Sequence, residues 1–134
     1  MNKGIAFSLP IDKIKGTHVE PSEHNMDKGR DTMLDYEAMF VIVERGRAEE
    51  VVEYASSVGA KGATIIPARG SGIHEKETLF NITIEPEKEI VMLLVKEDKA
   101  DEIAQKIDDE INLDAPGSGI LFILPVSQAS GLVQ

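Results

Sequence analysis

The sequence predicts an α+β domain of βαββαβ order, with four strands in one antiparallel sheet and both helices on one of its faces. Helical periodicity occurs in two stretches, apolar runs of strand length flank each of them, and two of those runs carry a proline near their end. Two βαβ halves of this kind combine into a single sheet. The chain has 134 residues, enough for one such domain and a tail, since two independent cores would need about 200 or more.

The first strand is Met39-Phe40-Val41-Ile42-Val43, punctuated by Gly46. Ala48, Val51, Val52, Ala55 and Val58 then recur at helical spacing, opposed by Glu49, Glu50 and Glu53, and Gly59 supplies a stop. Gly62-Ala63-Thr64-Ile65-Ile66-Pro67-Ala68 reads as a second strand, which its proline confines to a sheet edge. A polar loop over residues 69–78 opens with Gly70-Ser71-Gly72. The third strand alternates at Phe80-Asn81-Ile82-Thr83-Ile84 and continues into Ile90-Val91-Met92-Leu93-Leu94-Val95.

Ala100, Ile103, Ala104, Ile107 and Ile111 mark the second helix, with Asp101, Glu102, Asp108 and Asp109 on its opposite side. The turn Pro116-Gly117-Ser118-Gly119 leads to the fourth strand, Ile120-Leu121-Phe122-Ile123-Leu124-Pro125-Val126. In a ferredoxin-like sheet of this order the second and fourth strands are the edges, where Pro67 and Pro125 fall.

This domain is expected over residues 38–134, preceded by a polar linker at residues 17–37 that is too poor in apolar side chains to order itself. Residues 1–16 are expected to supply an extra strand through Gly4-Ile5-Ala6-Phe7-Ser8-Leu9-Pro10-Ile11. The segment at 4–16 echoes 119–131 at a single offset of 115, with Gly, Ile, Phe, Leu, Pro and the last Gly in register. It reads as the last strand of a lost or separate copy of the domain, able to add to a neighbouring sheet edge.

Two helices cover only one face of a sheet, so the other face should carry polar residues if it met water. Residues 39–43, 90–95 and 120–124 are instead apolar at nearly every position. Both faces are therefore expected to be dry, the second one against other copies of the chain in a closed ring.

A net charge of −10 disfavours nucleic acid and anionic membrane surfaces as partners. The apolar runs are far shorter than a spanning helix, and the first 20 residues lack a signal-peptide core, so a soluble cytoplasmic protein is expected. The chain has no cysteine, which excludes disulfides, thiolate metal sites and cysteine nucleophiles.

The two glycine-rich turns are the candidate binding elements, because glycine lets backbone N–H groups converge on an anion. Lys61, Arg69 and Lys76 surround the first of them. Neither turn fits a dinucleotide or P-loop fingerprint. His74-Glu75-Lys76-Glu77 offers one histidine without the second that a zinc helix needs. No Ser/His/Asp arrangement follows from spacing, and the protein is not expected to be an enzyme.

Gly59-Ala60-Lys61-Gly62-Ala63-Thr64, followed by Arg69-Gly70-Ser71-Gly72, resembles the PII nitrogen-regulatory proteins, as does the turn through Gly117-Ser118-Gly119 before an apolar strand. The likeness spans about residues 38–126. It implies a cytoplasmic homotrimer that binds a small effector such as ATP, ADP or AMP in clefts between subunits, with no permanent cofactor. A T-loop at residues 69–78 would report occupancy to a regulated protein partner. The resemblance assigns Thr64, Arg69, Gly70, Gly72 and His74 to the strand and T-loop base, and Gly117, Ser118 and Gly119 to the B-loop. Where the family has Arg-Gln after Gly-x-Gly, this chain has Ile73-His74. Two alternatives share the architecture: a trimeric metal-binding protein of copper-tolerance type using His74 with Glu75 or Glu77, and a structural trimer without ligand.

Overall fold

The computed structural model describes residues 4–16, 35–72, 77–79 and 82–132. In chain order the elements are β1 (Lys13–Lys15), β2 (Tyr36–Glu44), α1 (Ala48–Ser57), β3 (Thr64–Arg69), β4 (Glu77–Leu79), β5 (Ile82–Ile84), β6 (Glu87–Lys96), α2 (Glu97–Ile111) and β7 (Ile120–Pro125). The main sheet is antiparallel with strand order β1-β7-β2-β6-β3, and β4 and β5 pair separately as a hairpin.

Within this sheet, β7-β2-β6-β3 is the ferredoxin-like order that the sequence predicts. The sheet nevertheless has five strands rather than four. The fifth is β1, so β7 is covered on its outer side from Leu121 to Ile123 and is not a free edge. Pro125 lies beyond that covered stretch, in register with Glu37.

The first strand also differs in place. Residues 4–11 form no strand, and pairing begins only at Lys13–Lys15. The reason lies in alternation: Lys13 and Lys15 point toward α2 and form ion pairs with Asp101 and Asp108, while Ile14 joins Phe122 on the other face. Three further boundaries move. Tyr36 and Glu37 belong to β2 rather than to the linker, β6 starts at Glu87, and Ile82–Ile84 pairs with Glu77–Leu79 instead of extending β6.

One core fills the space between helices and sheet. Val51 and Ala55 of α1 and Ile103, Ala104 and Ile107 of α2 pack on Met39, Val41, Val91, Leu93, Leu121 and Ile123, all of them buried. Strand register places these sheet residues on one face, because in-register partners share a side. Glu89 of β6 lies on the same side and accepts hydrogen bonds from the backbone N–H of Gly46 at 2.7 Å and Ala48 at 3.1 Å. Its carboxylate thus satisfies orphan donors at the start of α1, where no side chain of the helix's own N-cap does so.

On the opposite face Ala38, Phe40, Ile42, Ile90, Met92, Leu94, Ile120, Phe122 and Leu124 are half-buried. Phe40 and Phe122 stack with ring centroids 5.3 Å apart and planes inclined by 13°. Both faces are therefore apolar, as the strand composition predicts, and only one is covered by helices. No helix among the described residues is long and apolar enough to cross a membrane.

Candidate functional site

The glycine motif after α1 is first of all a helix terminator. Gly59 has φ +107, its N–H donates to the Ser56 carbonyl at 3.1 Å, and the Ala60 N–H donates to the Ala55 carbonyl at 3.1 Å. This pair of bonds is a Schellman motif, which needs the left-handed conformation that glycine adopts without strain. Gly62, at φ +79, completes the turn into β3.

Thr64 is the first residue of β3 and sits opposite Met92 of β6. The β3 ladder starts there, whereas β6 runs on to Lys96. A groove of about 650 Å³ opens beside that overhanging end of β6. Met92, Leu94, Ile103 and Leu132 supply apolar lining, and Thr64, Lys61, Lys96 and Lys99 supply polar groups. The three lysines are exposed, so this is a cationic mouth on an acidic chain, suited to an anion with an apolar body. Lys99 pairs with Glu102 at 3.5 Å on the exposed surface.

Arg69 and Gly70 stand at the other end of β3. Arg69 is in register with Glu87, and the Gly70 N–H donates to the Pro86 carbonyl at 3.1 Å. A second cleft of about 590 Å³ lies here, lined by Arg45, Arg69, Glu87, Lys88 and Glu89 among others. Arg45 pairs with Glu87. Gly72 is exposed just beyond, and His74 lies outside the described residues, as does Glu75 of the metal-binding alternative.

The turn before β7 is on the far side of the sheet from β3, with β2 and β6 between them. Gly117 is left-handed, at φ +75, and the Ser118 hydroxyl donates to the Ile111 carbonyl at 2.6 Å, tying the turn to the end of α2. A Cβ on Gly119 would stand 2.6 Å from the Ile42 carbonyl oxygen, so only glycine fits there. Gly16 approaches in turn, its own Cβ position being 2.5 Å from the Gly119 oxygen. Within one chain, then, Thr64, the Arg69–Gly70 corner and the Gly117-Ser118-Gly119 turn are not brought together. Sequence reasoning missed Lys96 and Lys99 of the groove; they follow a long apolar strand and carry no local motif.

Comparison with known proteins bears on these three places. The chain is similar in structure to Arabidopsis thaliana PII bound to citrate, with TM-score 0.55 and 23% identity, covering 70% of this chain and 79% of that one. It is also similar to the B. subtilis GlnK–ATP complex, with TM-score 0.54 and 14% identity, covering 69% of this chain and 82% of that one. No curated protein matches in sequence. The family model described as nitrogen regulatory protein P-II matches residues 37–132, which takes in the groove, the Arg69–Gly70 corner and the glycine turn before β7. The chain belongs to the nitrogen regulatory protein P-II family.

Proposed function

We propose that the chain is a PII-type regulator, not an enzyme, that works in the cytoplasm as a homotrimer. It binds a small anionic effector of the adenine nucleotide class, ATP, ADP or AMP, and signals to a protein partner through the loop at residues 69–78. The observation that carries this reading is the placement of the site residues. Thr64 with its lysine-lined groove lies at one edge of the sheet, the Gly117-Ser118-Gly119 turn lies toward the other, and an uncovered apolar face lies between. A ring of copies buries that face and sets the groove edge of one chain against the turn edge of the next.

The chemistry of the groove supports an anion. Lys61, Lys96 and Lys99 are flexible ammonium groups that suit phosphate or carboxylate oxygens, and Thr64 offers a hydroxyl. A ligand that binds two arrangements of the loop at residues 69–78 unequally would shift its population and so transmit occupancy.

Calorimetric titration with ATP, ADP and AMP, with and without magnesium, tests the reading. At least one nucleotide should bind, and Lys61→Ala with Lys99→Ala should weaken it about tenfold or more, as loss of charge-assisted contacts does. Absence of heat for all three nucleotides would remove the nucleotide from the proposal.

A further inference from the structure

Residues 4–10 lead into β1 but touch little of the protomer. The pairing of Lys13 with Ile123 puts them past the β7 positions that β1 covers, and Ile5, Phe7 and Leu9 are 91%, 78% and 57% exposed. In an extended chain these three side chains fall on one side. A segment with three large apolar groups on one side, held out in water, is built for a surface it does not meet in its own chain.

The likeness to β7 says what kind of surface. Gly4-Ile5-Ala6-Phe7-Ser8-Leu9-Pro10 repeats Gly119-Ile120-Leu121-Phe122-Ile123-Leu124-Pro125. In β7 the residues Ile120, Phe122 and Leu124 face the uncovered side of the sheet, and Leu121 and Ile123 are buried under the helices. The segment keeps the first set as Ile5, Phe7 and Leu9, and replaces the second with Ala6 and Ser8. It is thus patterned as a strand of this same sheet that needs no helix above it.

We propose that residues 4–10 are an exchange arm that lies along the overhanging end of β6 in a second copy, seating Ile5, Phe7 and Leu9 on the apolar floor of its groove. Leu94 and Lys96 continue past the last β3–β6 pair at Thr64–Met92, which leaves a strand edge to be extended. The other described edges of the main sheet are poorer hosts, since the outer side of β1 is only three residues long. β1 covers β7, and Pro67 interrupts the outer row of β3 donors. Met92, Leu94 and Leu132 give the arm an apolar bed, while Lys61, Lys96 and Lys99 remain at the mouth.

The recipient is another copy because β1 anchors the arm beside β7, and β7 and β2 separate it from β6. To enter its own groove the arm would have to turn across those strand ends, where it could not run alongside β6. The contact is head-to-tail, one edge of a chain on the other edge of the next, and repeated by rotation it closes a ring. The neighbour's arm would then form one wall of the cleft proposed above for the effector, yet its docking does not depend on nucleotide binding.

The chain's lack of cysteine makes the test direct. Full-length Phe7→Cys and Leu94→Cys proteins are prepared separately, mixed without effector and treated with a short bismaleimide. The mixture should give a covalent dimer that neither variant gives alone, and adding Ile5→Asp and Leu9→Asp to the arm should abolish it. Sedimentation of the Ile5→Asp, Phe7→Asp, Leu9→Asp protein should show association weakened about tenfold or more. No dimer beyond the single-variant controls, or a Phe7→Cys, Leu94→Cys double variant that closes only within one chain, would overturn the proposal. Failed nucleotide binding beside an intact cross-link would count against the effector reading alone.

Discussion

The two faces of the main sheet are drawn from the same strands and nearly the same residue types. On the helix side Met39, Val41, Leu93, Leu121 and Ile123 are at most 1% exposed, in a core that the two helices close. On the other side Phe40, Ile42, Met92, Phe122 and Leu124 keep part of their surface in water. The difference shows that apolar composition in a strand sets a demand for cover without saying what provides it. One face is satisfied by folding, and the other is left open by the single chain.

Substitutions separate the two faces. Leu93→Ala empties a fully packed site, and should cost about 2–5 kcal/mol of unfolding free energy in a urea titration without altering the mass of the assembled protein. Gly119→Ala forces a Cβ against the Ile42 carbonyl and should cost about 1–3 kcal/mol in the same titration, because the strain falls where the glycine turn meets the sheet. Phe122→Asp on the open face should reverse the pattern. The loss of its stack with Phe40 should cost the single chain about 0.2–1 kcal/mol, while sedimentation should show the proposed ring falling apart. Lys13→Ala removes an exposed ion pair with Asp101 and should change stability by less than about 1 kcal/mol. A Phe122→Asp protein of unchanged mass would break the comparison.

Periodicity made the helices legible because each has one apolar stripe whose spacing no other element shares, and Gly59 marked the end of α1 for the conformational reason that operates there. The doubly apolar strands were legible as well. The position of β1 was not, since the apolar run at residues 4–11 outweighed the short Lys13-Ile14-Lys15 alternation whose meaning depends on Asp101 and Asp108, far along the chain. The same distance hid Lys96 and Lys99, which become groove residues only when β6 outruns β3. Gly117 and Gly119 read as a binding turn in the sequence, and in the structure Gly119 answers a steric requirement of β2 whatever else it contacts.

Glu89 ties together two decisions that folding would otherwise make separately. Its carboxylate reaches Gly46 and Ala48 only while β6 is aligned with β2 as Val43 opposite Glu89. A slip by one residue would turn that side chain to the opposite side and leave the beginning of α1 bare. Helix onset therefore proofreads strand alignment, and a misthreaded sheet would announce itself as a frayed first turn.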